Sequence, residues 1–190
     1  MSDSPAAPLP DARTRILDAA EAIIRARGVA GLTLEAAARE AGVSKGGLLY
    51  HFASKEALLA GLLNRMAGHV EEAFRQVLEA QPEGRGRTTR AILAWTFDHP
   101  EAVCQQHERA AAVFLAAFHH DPALLDPVRE VIGRIRARQR EDGLPTGVAQ
   151  AVMAACDGLF MASLFGMYAL EEAERRAIRT ALERLLEPSP

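Results

Sequence analysis

Residues 33–52 read Thr-Leu-Glu-Ala-Ala-Ala-Arg-Glu-Ala-Gly-Val-Ser-Lys-Gly-Gly-Leu-Leu-Tyr-His-Phe. This order of residue types predicts two short helices and a tight turn. Thr33 is suited to cap the first, because its hydroxyl accepts from the orphan amides of the helix start. Leu34, Ala37, Ala38 and Ala41 then share one helical face. Gly42 can take positive φ just past the helix end without a Cβ clash. Val43 plugs the corner, and Ser44 caps the second helix. That helix carries Lys45, Gly46, Gly47, Tyr50 and His51 outward, while Leu48, Leu49 or Phe52 turn inward. Helix, glycine-bearing turn and helix make the helix-turn-helix pattern, whose second helix enters a DNA major groove.

The flanks narrow the reading. Upstream lies Arg-Ile-Leu-Asp-Ala-Ala-Glu-Ala-Ile-Ile-Arg-Ala-Arg-Gly (15–28), and downstream Phe-Ala-Ser-Lys-Glu-Ala-Leu-Leu (52–59). With these flanks, residues 11–66 resemble the DNA-binding domain of the TetR family of bacterial transcriptional regulators. The resemblance rests on the Gly-Val-Ser turn, the aromatic-His-Phe segment and the Ser-Lys-Glu-Ala-Leu entry to a fourth helix. It does not extend by motif into residues 80–190.

The chain has 190 residues, 49% of them hydrophobic and 25% charged, which suits one or two compact domains with a real core. No uninterrupted apolar run reaches the roughly 20 residues that span a bilayer. The first ten residues lack the basic and apolar regions of a signal peptide, and are read as a disordered tail. Cys104 and Cys156 have no metal-ligand spacing and are read as buried reduced thiols of a cytoplasmic protein. The net charge is −3, so placement rather than bulk charge must speak for nucleic acid. Of 22 basic residues only Lys45 and Lys55 are lysines, and they bracket the second short helix.

Every longer segment reads as helix, so the expected fold is all-α: a three-helix helix-turn-helix module (11–66) joined by a long helix to a helical-bundle domain (67–190). Residues 11–27 form a first helix, with Asp11 as cap and Ile16, Leu17, Ala20, Ile23 and Ile24 as its apolar stripe. Ser54 caps a helix running to about Leu78, a rod on the order of 35 Å long at 1.5 Å per residue. Further helices are expected over 88–97, 101–118, 123–140, 146–169 and 171–186. The segment 146–169 has almost no polar face, so it is expected to be buried on all sides, either as a central core helix or, the preferred reading, with a second subunit covering its other side.

The resemblance implies functional positions. Lys45, Gly46 and Tyr50 match positions from which the family reads bases; Thr33, His51 and Lys55 match positions that touch phosphate. Ser44 and Gly47 complete the expected DNA-binding set. Two glycines inside a helix cost roughly 1 kcal/mol each against alanine. Their functional account is close backbone approach to the groove, and the plain alternative is fraying. Where many members carry a backbone-contacting Tyr, this chain has Leu49. The family dimerises through a bundle of C-terminal helices, which implies an interface at Val152, Leu159, Ile178, Leu182 and Leu185. It also implies a pocket for a small-molecule effector, for which Trp95, His107, Phe114, Phe118, Phe160, Met161 and Phe165 are the candidates, with His119 as a further polar contact.

No catalytic constellation is present: the sequence has no Gly-rich phosphate loop, nucleophile elbow or paired His/carboxylate motif. His119 and His120 are adjacent and therefore diverge on a helix, so no metal and no cofactor is expected. The reading is a ligand-responsive, cytoplasmic regulator, most simply a repressor. Its expected partners are operator DNA, a second copy of itself and a small effector, with no membrane. An activator of the same plan, or a helical adaptor using the motif without DNA, remains the alternative.

Overall fold

The computed structural model describes residues 11–98 and 121–187. All regular structure in them is helical. The helices are α1 (Ala12–Arg27), α2 (Leu34–Glu40), α3 (Lys45–His51), α4 (Lys55–Glu79), α5 (Arg87–Asp98), α6 (Asp126–Arg140), α7 (Thr146–Leu164) and α8 (Glu172–Leu186), with short 3-10 turns at Val29–Gly31 and Pro122–Leu125. The described residues divide into two compact units, 11–63 with 121–124, and 64–98 with 125–187. The division falls inside α4.

In the first unit each helix starts on a side chain from its own sequence neighbourhood. Asp11 accepts from the Thr14 amide at 2.8 Å, and that bond is the main reason its carboxyl titrates low. Thr33 accepts from the Ala36 amide and Ser44 from the Gly47 amide, both at 3.0 Å; Ser54 accepts from the Ala57 amide at 3.1 Å. These bonds satisfy amides that the helix itself leaves without partners. Gly42 sits at φ 64°, and the Val43 amide donates back to the Ala38 carbonyl. This turn sets the course from α2 into α3. The core is wholly apolar: Ile16, Leu17, Ala20, Ile23 and Ile24 of α1 meet Ala37 and Ala38 of α2, Leu48 of α3, Phe52, and Leu58, Leu59, Leu62 and Leu63 of α4. Gly61 permits this packing. A Cβ there would lie 2.6 Å from Phe52 Cε1 and 3.3 Å from Leu17 Cδ2.

The second unit is organised around α5, which packs on α6, α7 and α8. Its start is held from far along the chain. The Asp142 carboxylate accepts from the Thr88 amide at 2.8 Å, the Thr89 amide at 2.7 Å and the Thr89 hydroxyl at 2.8 Å, and the Asp142 carbonyl accepts from Gly86. Asp142, Thr88 and Thr89 are all buried. Gln139 is buried too, and its amide donates to the Ala149 carbonyl at 2.9 Å. Phe74 of α4 packs its ring against Trp95 of α5, with centroids 5.4 Å apart.

Two expectations are corrected here. The helix expected to reach residue 169 ends at Leu164, because Gly166 takes φ 59° and the Met167 amide donates to the Ala162 carbonyl, closing the last turn. In the single chain that helix has one covered side and one open side: Ala149, Val152, Met153, Cys156 and Ala162 point into the unit, while Ala151, Ala154, Gly158 and Met161 face outward. It is the one described helix long and apolar enough, by length and composition, to cross a membrane. The helix expected from residue 123 begins at Asp126, after the 3-10 turn over Pro122–Leu125. The expected helix 101–118 lies outside the described residues.

Candidate nucleic-acid interface

The outward face of α3 is built by what its inward face must bury. Leu48 is fully buried and Phe52 nearly so. In a helix that fixes Gly46 and Tyr50 on the opposite side, and Lys45, in the first turn, is exposed as well. Tyr50 is 86% exposed, an extreme value for a large aromatic, and Leu49 is 40% exposed. Of the three residues offered as inward-facing, Leu49 is therefore the one that faces out. Tyr50 touches the His51 ring edge-on, with centroids 5.1 Å apart. A Cβ on Gly46 would meet nothing within 4 Å, so the helix backbone there is bare to the outside. Gly47 differs: a Cβ there would sit 3.2 Å from the Ser44 hydroxyl oxygen, so its smallness also accommodates the cap.

The charged groups around this face are held. Lys45 Nζ lies 2.5 Å from Glu35 Oε1 of α2. That hydrogen bond is the first cause of the low titration of the Glu35 carboxyl. Lys55 Nζ donates to the Val29 carbonyl at 2.9 Å, tying the start of α4 to the turn after α1. One of its three N–H donors is thereby engaged, and two are left for another acceptor. The hydroxyls of Thr33 and Ser44 accept cap bonds, which leaves each O–H proton free to donate. Arg13, which sequence reasoning missed, places its guanidinium 5.5 Å from the Phe52 ring centroid, beside the C-terminal end of α3. Its spacing within α1 gives no hint of this, because the contact is tertiary. A duplex backbone is met by such donors, and base edges by side chains near the N-terminus of the recognition helix.

The other expected sites fare unevenly. His107, Phe114, Phe118 and His119 lie outside the described residues. Trp95 packs on Phe74 and is half-buried, and Phe160 is half-buried. Met161 and Phe165 lie exposed, at 42% and 52%, because α7 ends just there. They line no described cavity. A cavity of about 350 Å³ opens instead between α4 and α6, over Phe74, Val131 and Ile135. Its rim is ionic: Arg134 donates to Glu71 at 2.9 and 3.0 Å, and Arg75 is shared by Glu72 and Glu79. Among the expected interface residues, Val152 is fully buried and Leu182 is 8% exposed. Both are spent on their own unit's core. Leu159 and Ile178 are half-buried, and Leu185 is 44% exposed. Cys156 is buried, and burial pushes its thiol up.

Comparison with known proteins agrees with this geometry. The family described as bacterial regulatory proteins, tetR family, matches residues 16–62. The family described as tetracyclin repressor-like, C-terminal domain, matches residues 86–187. The HTH-type transcriptional regulator BetI of Serratia proteamaculans (strain 568) is 27% identical over 180 residues, covering 90% of each chain. The solved structure of SCO7518 from Streptomyces coelicolor A3(2) superposes with a TM-score of 0.73 at 24% identity, covering 94% of this chain and 100% of that one. The multidrug binding protein EbrR, solved in complex with imidazole, gives a TM-score of 0.62 at 28% identity, covering 96% and 98%.

Proposed function

The chain belongs to the TetR family of bacterial transcriptional regulators, and from that membership we propose that it is a ligand-responsive repressor binding a roughly palindromic operator as a homodimer. The observation that carries the DNA reading is the outward face of α3. A tyrosine left almost wholly in water, a bare helix backbone at Gly46 and a lysine at the first helical position form a surface with no packing purpose of its own. Gly46 lets the backbone approach base edges, Lys45 and Tyr50 read them, and Thr33, Ser44, Gly47, His51 and Lys55 hold the module to the phosphates. The place of action is then the cytoplasm, where the DNA is.

Dimerisation is supported by α7 and α8. Ala151, Ala154, Gly158, Met161 and Phe165 follow spacings of three and four, so they form one stripe, and all five are exposed in the single chain. Leu159, Ile178 and Leu185 extend the apolar surface. A second copy covering this stripe buries it in the isologous manner commonest among homo-oligomers. The whole of α7 falls within the matched C-terminal domain, which supports its reading as an interface helix rather than a membrane span. The effector is a small apolar or amphipathic molecule, as EbrR's complexes with malachite green and ethidium suggest by analogy. α4 contributes residues to both units, and carries the ligand's effect to the recognition helices. A differential affinity of about 3 kcal/mol between two arrangements changes DNA affinity roughly a hundredfold, and by reciprocity operator must weaken ligand binding equally.

Selection of duplexes from a random pool, followed by gel shift with the recovered sequence, tests the proposal. A two-fold symmetric site bound at one dimer per duplex is expected. A protein that is monomeric by light scattering at micromolar concentration sinks the dimer, and one that enriches no sequence favours the adaptor reading.

A further inference from the structure

We propose that Glu35 is a positioning residue for DNA specificity: its carboxylate holds the Lys45 ammonium at one place on the recognition face and opposes dockings that draw Lys45 to a phosphate. The proposal rests on the DNA-binding reading above. Glu35 is the second residue of α2 and Lys45 the first of α3, so the pair spans the turn that the helix-turn-helix motif makes rigid. The Thr33 and Ser44 caps fix both helix starts, and the two charges meet at 2.5 Å.

The fold does not need this pair. The side chains are 59% and 61% exposed, and an ion pair so placed in water contributes little to stability. Its consequence lies in where the ammonium can go. A lysine stem is long and rich in rotamers, and an untethered ammonium beside a duplex is drawn to the nearest phosphate. Such a contact adds affinity for any sequence and discriminates none. Tethered to Glu35, the ammonium sits at the helix position from which base edges are read. The carboxylate is an anion set at the face that meets a polyanion. It is tolerated where Lys45 or a cytosine N4 amino group lies against it, and repelled where a phosphate does. The carboxyl stays ionised because Lys45 donates to it and because it lies in the first turn of its helix.

Glu35→Gln keeps the shape and removes the charge. Binding is measured by fluorescence anisotropy on a duplex selected by the wild-type protein and on a random-sequence duplex of equal length, across a salt series. The variant is expected to bind random duplex about threefold to tenfold tighter, with a salt slope steeper by about one counterion per subunit, and its selected-to-random ratio is expected to fall roughly tenfold. With Lys45→Ala already present, Glu35→Gln is expected to leave the ratio within about twofold, since the effect runs through Lys45. Thermal unfolding should match the wild type, which keeps a structural cause apart. A variant that discriminates as well as the wild type overturns the role of Glu35 alone, and so does an equal loss in the Lys45→Ala background. A wild-type protein that retains no duplex overturns the DNA-binding reading and this inference with it.

Discussion

The two units solve the same problem, how to start a helix, in opposite ways. In the first, Asp11, Thr33, Ser44 and Ser54 each cap a helix whose amide lies three residues on, and the core they enclose is purely apolar. In the second, α5 is started by Asp142 across a sequence separation of more than fifty residues. The buried polar side chains among the described residues, Thr88, Thr89, Gln139 and Asp142, all belong to that unit. A local cap exposed to solvent is replaceable by water, so those of Thr33 and Ser44 are worth about 1 kcal/mol each. A buried carboxylate receiving three hydrogen bonds is not replaceable, because its removal strands donors where water cannot reach. The first unit is secured by many small terms, the second by a few large ones.

The largest test of that contrast is Asp142→Ala. It should cost about 3 kcal/mol by leaving the Thr88 and Thr89 donors buried and unpaired. Trp95, the single tryptophan, lies in α5, so its emission reports on the second unit. Its urea midpoint should fall clearly. Next comes Gly61→Ala, which must displace the Phe52 ring and should cost roughly 2 kcal/mol, read by calorimetric melting. Thr33→Ala should then cost about 1 kcal/mol in the same measurement. If it proves as damaging as Asp142→Ala, the contrast between the units fails. The smallest effect sharpens it from within. Gln139 donates once while its side-chain oxygen has no hydrogen-bond partner, and the Ala149 carbonyl it meets has its own helical partner. Gln139→Met should therefore stay within about 1 kcal/mol of wild type in chemical denaturation, since replacing a half-satisfied amide by an apolar chain is nearly neutral.

This division also explains what could be read in advance. The caps at Asp11, Thr33, Ser44 and Ser54, the turn at Gly42 and the stripe of α1 are encoded within a few residues of where they act, and each stands as expected. Gly61 and Arg13 were invisible because their reasons, Phe52 and Leu17 for one and Phe52 for the other, lie elsewhere in the chain. Asp142 stands in Asp-Gly-Leu-Pro, which by itself reads as no more than a helix stop. Nothing near it announces two threonines so far upstream. Val152 and Leu182 were expected at the subunit interface that the family resemblance implies. Periodicity gives the stripe but not which way it turns, and packing against α5 turned both inward. The α7 end was signalled by Gly166, whose preference for positive φ outweighed the apolar run that continues past it.

The scarcity of lysine has a practical side. With two lysine side chains in the whole sequence, amine-reactive reagents have, besides the terminal α-amine, two targets, and both report on the surface around α3. The two points differ in kind. Lys55 gives one hydrogen to a carbonyl and is partly covered, so it should be acylated slowly; Lys45, paired only to an exposed carboxylate, should react first. Labelling chemistry normally dismissed as indiscriminate would here read the state of one patch, and the ratio of the two adducts would register its occlusion without any engineered probe.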